Sequence, residues 1–295
     1  MEKGMNFFLD RYKELGETVS SIKLKPALRI NTLNISEEKL INRLKKQGVK
    51  LEKVPYAKHG YFYSSRFSLG SIAEYLLGYF YLQESAAQLP VQVLDPKPDE
   101  TVLDCCAAPG GKTTQIAQFM KNKGLLIAVE KKSHRITSLR TNLERCGINN
   151  CIVYAMDANK VDSLNMKFDK ILLDAPCSGN FITDPTWFKK RSLDGIRRNA
   201  EIQKSLIEKA LSVLKKGGTL IYSTCSLEPE ENELNMQWML NRFKVKIEKN
   251  NLKIGDSGLT KVFDKKLDKQ IANCSRFWPN KTNTEGFFIA KIRKL

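Results

Sequence analysis

Two of the chain's seven cysteines stand where a nucleophile is useful. Cys177 lies in Asp174-Ala175-Pro176-Cys177-Ser178-Gly179 and Cys225 in Ser223-Thr224-Cys225-Ser226. Each follows an apolar run that reads as a buried strand, so both fall in loops at the same end of a parallel sheet. A thiolate is the reactive form of cysteine, and basic neighbours favour it. Cys105, Cys106, Cys146, Cys151 and Cys274 read as small hydrophobes. No C-x-x-C occurs, and His59 and His134 are far apart without cysteine partners, so no metal site is expected.

A third segment looks like a ligand loop. The strand-like run 101–106 leads into Ala107-Ala108-Pro109-Gly110-Gly111-Lys112-Thr113. Gly-Lys-Thr invites a phosphate-loop reading, but that pattern needs glycine where Cys106 stands, which argues against an ATPase. No G-x-G-x-x-G is present for a dinucleotide. The strand ends point elsewhere. Glu130 closes the second strand, where a carboxylate accepts from a ribose diol. Asp157 follows the third, placed for an adenine amino group, and Asp174 ends the fourth. A ligand with ribose, adenine and a cationic amino group but no phosphate fits them, and S-adenosylmethionine is such a ligand.

Two cysteines beside a methyl donor suggest one chemistry. Carbon 5 of cytosine is a poor nucleophile, but a thiolate added at carbon 6 makes it enamine-like and able to attack a methyl group. The carbon 5 proton must then leave and the thiolate must be expelled. Asp174 can hydrogen-bond or protonate N3 during the addition, and a second cysteine can assist proton removal and release. A base must leave its stack to be reached, so Phe181, Trp187, Arg197 and Arg198 are expected near the mouth to receive it. The alternative is that the two aromatics pack the loop.

These residues need a scaffold. Residues 1–82 read as a small basic α+β unit: a helix over 7–15, a strand near 25–32, a helix capped by Ser36 over 37–47 and stopped by Gly48, then strands at 49–54 and 60–63. Lys23, Lys25, Arg29, Lys45, Lys46, Lys50, Lys53 and Lys58 make it a plausible nucleic-acid platform. Residues 83–295 read as apolar strands alternating with helices: strands at 101–106, 125–130, 151–156, 168–173 and 219–223, a helix capped by Ser133, and another from 196 to about 216. That is an α/β fold with a mainly parallel sheet. Residues 285–292 are expected to close an edge in antiparallel fashion.

Charge sets the partner class. Lysine and arginine outnumber acids 49 to 32, giving +17 and a pI near 9.5, which suits a polyanion. No apolar run approaches the ~20 residues of a membrane helix. The start, Met1-Glu2-Lys3-Gly4, shows no secretory leader, so a cytoplasmic location without membrane attachment is expected.

Together these segments resemble the Nop/Sun family of RNA cytosine-5 methyltransferases, and most of all its compact archaeal tRNA-modifying members. The resemblance runs through Lys25-Pro-Ala-Leu-Arg29-Ile-Asn-Thr32, Gln83-Glu-Ser-Ala86, Leu103 to Thr113, Asp174 to Gly179 and Ser223 to Ser226. It implies a Rossmann-like class I methyltransferase domain behind a small RNA-binding domain. It implies tRNA as substrate ahead of rRNA, Cys225 as nucleophile, and Cys177 as the residue that helps release product. The positions it implies for S-adenosylmethionine are Ala107, Ala108, Pro109, Gly110, Gly111, Lys112, Thr113, Glu130, Arg135, Asp157 and Asp174. Where the family often has Arg-x-x-Pro-His, this chain has Arg276-Phe277-Trp278-Pro279-Asn280, without the histidine. Two rivals remain. A DNA cytosine-5 methyltransferase would attack with Cys177, and a non-catalytic RNA-binding factor would bind cofactor without transfer.

Overall fold

The structure, a computed structural model, describes residues 3–295, so Met1 and Glu2, part of the segment read for a secretory leader, lie outside the described residues. The chain forms two compact units, Lys25–Leu172 and a second made of the segment up to Leu24 with Leu173–Leu295. Helix α1 spans Met5–Glu14. The first unit then carries β1 (Ala27–Ile30), α2 (Glu37–Lys46), β2 (Lys50–Lys53), β3 (Gly60–Ser64), α3 (Ala73–Leu76), β4 (Phe80–Leu82) and α4 (Leu89–Leu94). It continues with β5 (Thr101–Asp104), α5 (Gly111–Phe119), β6 (Leu125–Glu130), α6 (Ser133–Arg145) and β7 (Cys151–Ala155). Strand β8 (Phe168–Asp174) starts in the first unit and ends in the second. There follow α7 (Trp187–Lys190), α8 (Leu193–Val213), β9 (Leu214–Thr224), α9 (Glu233–Arg242) and β10 (Val245–Glu248). The chain ends with β11 (Asp256–Ser257), β12 (Lys261–Val262), β13 (Lys265–Lys266), β14 (Ser275–Phe277), α10 (Pro279–Thr282) and β15 (Phe287–Lys294). No helix of the described residues is long and apolar enough to cross a membrane.

In the first unit, β2-β3-β1-β4 form an antiparallel sheet. Helix α2 covers it through Leu40 and Leu44, fully buried one turn apart. Its start is the expected one, since Ser36 accepts from the Lys39 amide, and Gly48 takes the positive φ that ends the turn. Arg29 corrects the basic-platform reading. It is 1% exposed, and its guanidinium donates to Gln118 and Thr114 at 2.8 Å each and to the Gly111 carbonyl, all on α5. Burial among neutral partners lowers its pKa to about 10. Arg29 therefore holds the helix that follows the glycine turn.

The parallel strands of this unit run β8-β5-β6-β7, the Rossmann-like pattern expected. The α6 cap is a second correction. Lys132 holds the cap position in extended conformation, and Ser133 is the first helical residue. The Lys132 amide bonds to the carboxylate of Glu130 at 2.8 Å, so an acid at the strand end, and no serine, organises this turn.

In the second unit, β15 is interior where an edge was expected. It pairs antiparallel with β9 on one side and with β14 and β10 on the other. Its Phe287-Phe288-Ile289-Ala290 run is buried at every residue, as a strand covered on both faces must be. Helix α1 packs Phe8 and Tyr12 into Phe181, Trp187, Leu227 and Trp278, with the Phe8 and Trp187 rings edge-on at 4.7 Å. The Tyr12 hydroxyl donates to Glu228 at 2.6 Å, and Arg11 reaches Glu230 at 2.7 Å and Glu228 at 3.5 Å.

Two consequences are measurable. Gly78 has φ +68°, and a Cβ there would lie 1.8 Å from the Arg145 carbonyl oxygen. Gly78→Ala should therefore cost about 3 kcal/mol or more in urea unfolding. Burial and the Glu230 charge push the Glu228 carboxyl from 4.5 up to about 7. The native state then holds a proton that the unfolded chain has released, so raising the pH from 4 to 8 destabilises the fold. Glu228→Gln should remove that slope, gaining about 3 kcal/mol on wild type across the interval.

Candidate active site

The two thiol loops lie together in the second unit. Strand β8 ends at Asp174, the Ala175 amide bonds to the Ser223 carbonyl at 2.9 Å, and the Ser223 hydroxyl donates to Asp174 at 2.7 Å. This register sets Cys177 beside Cys225, with the sulfurs 3.3 Å apart and both residues half-buried. Neither loop has a strand partner beyond that point, so side chains do the holding. Gln203 on α8 donates to the Pro176 carbonyl at 2.9 Å, and Asn180 donates to the Cys225 carbonyl at 2.8 Å. Asn232 takes the Thr224 hydroxyl at 2.6 Å and donates to the Ser226 carbonyl at 2.9 Å.

At 3.3 Å the sulfurs share one hydrogen bond, and one thiol must be its donor. Either sulfur can be that donor. The hydrogen bond to Cys225, burial and the nearby Glu231 carboxyl all raise the Cys177 pKa well above the ordinary cysteine value. The other cysteines lack this setting. Burial raises Cys105, Cys146 and Cys274, and pushes Cys151 up to about 12, as expected of inert core thiols.

Phe181 and Trp187 are not at a mouth. They are 7% and 1% exposed, and the Trp187 indole donates to the Ser178 carbonyl at 2.9 Å, so they pack and pin the loop that carries Cys177. Arg197 and Arg198 are exposed on α8. Asn280, at the family's histidine position, is exposed on α10, while Arg276 before it is buried and bidentate to Glu233 at 2.7 and 2.9 Å. Arg276 also donates to the Leu227 carbonyl, two residues after Cys225.

The expected ligand loop lies in the first unit. Gly110 has φ +108°, a conformation that favours glycine, and a Cβ on Gly111 would stand 3.2 Å from the Tyr81 ring. Thr113 is buried and donates to Asp104 at 2.8 Å and to the Ala107 carbonyl at 3.2 Å. Arg135 donates to the Ala108 carbonyl and stands 3.5 Å from Glu130, which is 5% exposed. Asp157 accepts from the Asn159 amide at 2.9 Å and from Lys131 at 2.7 Å, and these contacts, with Lys131 foremost, lower its pKa. Glu130 and Asp157 thus stand at the ends of neighbouring parallel strands as carboxylate acceptors. Such an acceptor set suits the hydroxyls and amino group of a nucleoside and repels a phosphate. The residues fit the adenosyl part of S-adenosylmethionine.

The residues that sequence reasoning passed over are Glu231, Gln203, Asn180 and Asn232. The signal was Glu228-Pro229-Glu230-Glu231-Asn232-Glu233: four acids within six residues, directly after a cysteine motif in a chain of charge +17.

Comparison with known proteins gives the family. Residues 2–85 match the N-terminal domain of 16S rRNA methyltransferase RsmF, and residues 91–293 match 16S rRNA methyltransferase RsmB/F. The tRNA (cytosine(72)-C(5))-methyltransferase of Pyrococcus horikoshii is 40% identical over 77% of this chain and 56% of its own length. The tRNA (cytosine(49)-C(5))-methyltransferase of Pyrococcus abyssi is 38% identical over 92% of this chain and 88% of its own. The crystal structure of NSun6 from Pyrococcus horikoshii with SFG superposes with a TM-score of 0.82 at 31% identity, over 96% of this chain and 92% of that one. Several curated relatives are longer, and the chain spans between 34% and 58% of four of them. With a family model matched from Pro90's neighbour Val91 to Arg293 and the N-terminal model before it, the chain belongs to the RsmB/F methyltransferase family, the Nop/Sun group that its motifs resemble.

Proposed function

We propose that this chain transfers a methyl group from S-adenosylmethionine to carbon 5 of cytidine in RNA, through a covalent bond between Cys225 and carbon 6. The observation that carries the reading is the pair of sulfurs 3.3 Å apart in loops held by the Asp174 strand end. tRNA is the first substrate class, supported by the two archaeal relatives, and rRNA is the second, supported by the family's description. The work is divided between an RNA-binding domain at 1–82 and a methyltransferase domain at 83–295, and it takes place in the cytoplasm.

The Cys225 thiolate adds to carbon 6 while Asp174 hydrogen-bonds or protonates N3, so the ring electrons collect at carbon 5. S-adenosylmethionine supplies the electrophilic methyl that carbon 5 takes. Ala107 to Thr113, Glu130, Arg135, Asp157 and Asp174 are the residues that would hold it, supported by the acceptor set described above and by the relative solved with SFG. Once Cys225 is bonded to carbon, its charge is gone and it no longer takes the Cys177 hydrogen bond. The main cause of the raised Cys177 pKa is then removed. Cys177 can then give its proton to solvent and, as a thiolate, take the carbon 5 proton. The electron pair of that C–H bond forms the carbon 5–carbon 6 double bond as the carbon 6–sulfur bond breaks and the Cys225 thiolate leaves. A proton taken up at N3 returns to Asp174. Adduct formation is thus the switch that turns the second cysteine from acid to base.

The exposed cations Lys189, Lys190, Arg197 and Arg198 of the second unit, and Lys45, Lys46, Lys50 and Lys58 of the first, supply charge for the phosphate backbone. The decisive assay offers tritiated-methyl S-adenosylmethionine with tRNA and with rRNA. Wild type should place label in 5-methylcytidine of tRNA, and Cys225→Ser should give none. Cys177→Ala should slow turnover about 10²–10⁴-fold and accumulate a denaturation-resistant protein–RNA adduct. An adduct kept by Cys225→Ala and lost by Cys177→Ala would reverse the roles, as in a DNA cytosine methyltransferase.

A further inference from the structure

Glu231 is the buried acid nearest this chemistry that the mechanism above does not use. Its carboxylate accepts the Ser178 amide at 2.9 Å, the Ser178 hydroxyl at 2.6 Å and the Gln203 amide at 3.2 Å. Ser226 and Asn199 also hydrogen-bond to it, and the hydroxyls of Ser178 and Ser226 lie 3.1 Å apart. Ser178 directly follows Cys177, and Ser226 directly follows Cys225. The Glu231 main-chain carbonyl takes the Tyr222 hydroxyl at 2.5 Å, which ties the same residue to β9.

We propose that Glu231 is a positioning residue that clamps the residues after both cysteines to one buried carboxylate and so sets which sulfur attacks. The proposal rests on the reading of Cys225 as nucleophile. A neutral side chain would serve if holding the loops were all that was required. Asn180, Gln203 and Asn232 make the neighbouring links as amides, at a lower cost of burial than an acid. A carboxylate adds something an amide does not: negative charge beside the Cys177 loop, one of the causes that raise that thiol's pKa, although burial raises the Glu231 pKa as well. Gln203 completes the arrangement by joining the Pro176 carbonyl to the Glu231 carboxylate, so Cys177 is bracketed on both sides.

The test compares wild type with Glu231→Gln, which can keep the hydrogen bonds and removes the charge. Iodoacetamide labelling of Cys177 and Cys225 is followed by mass spectrometry from pH 6 to 9.5, beside methyl transfer to tRNA. Wild type should label Cys225 about tenfold faster than Cys177 at neutral pH. Glu231→Gln should lower the pH midpoint of Cys177 labelling by about one unit, shrink the preference to a few-fold, and cut kcat about tenfold with the KM for tRNA unchanged. A Glu231→Gln protein with wild-type labelling preference and kcat at every pH overturns the proposal. Should that variant not fold, Ser178→Ala and Ser226→Ala each remove one link and should each narrow the preference, and unchanged preference in both overturns it equally. If wild type labels Cys177 first, the nucleophile assignment fails. The clamp then stands only if the Glu231 variant still moves the ratio.

Discussion

A sulfur–sulfur contact of 3.3 Å is the constraint around which the second unit is built. Two thiols so close share one hydrogen bond, and its direction depends on both loops staying in place. Such a contact tolerates little error, because a shift of about an ångström breaks the hydrogen bond. Strand pairing cannot hold it, since both cysteines lie past the last paired residues. The holding falls to Asn180, Gln203, Asn232 and Glu231, all buried and all hydrogen-bonded to the loops.

That network is itself braced by aromatic packing. Trp187 reaches the Ser178 carbonyl and meets the rings of Phe8 on α1 and of Phe188 edge-on. Tyr12 reaches Glu228, three residues past Cys225, and Arg276 reaches the Leu227 carbonyl while paired with Glu233. The N-terminal helix is therefore part of the thiol site's support, though it is more than 150 residues away in sequence. Burying an ion pair such as Arg276–Glu233 brings little net stability, because desolvation offsets most of the attraction. Its value lies in direction: a planar guanidinium can meet a carboxylate and a carbonyl in only one arrangement.

What the sequence shows of this site follows a physical divide. Local signals were readable: Ser36 as a cap, Gly48 as a stop, the strand ends at Glu130 and Asp174, and the two cysteine motifs depend on a few adjacent residues. Signals that depend on distant partners were not. Arg29 has the same composition signature whether it faces RNA or Gln118 and Thr114, and only the partner helix decides. Ser133 looks like a cap until Glu130 takes the amide two residues on. Residues 285–292 read as an edge because β10, β11 and β14 are two to four residues each, too short for periodicity to reveal the neighbours of β15. Glu231 was hidden differently, since acids are usually exposed and nothing local marks one as buried.

The glycine turn shows how one hydroxyl can separate two chemistries that look alike on paper. Gly111-Lys112-Thr113 has the letters of a phosphate loop, and in such a loop the Thr hydroxyl must be free to meet a metal ion beside the phosphates. Here Thr113 is fully buried and its hydroxyl is spent on Asp104 and the Ala107 carbonyl, so it closes the turn from within. Side chains hold the loop's backbone, with Arg135 on the Ala108 carbonyl and Asn142 on the Pro109 carbonyl at 2.9 Å. The cations that approach it are already matched, Arg135 to Glu130 and Lys131 to Asp157. A triphosphate would meet two carboxylates, Glu130 and Asp157, whereas the hydroxyls and amino group of an adenosyl group would meet acceptors. Cys106, where a phosphate loop needs glycine, points the same way as the spent Thr113 hydroxyl.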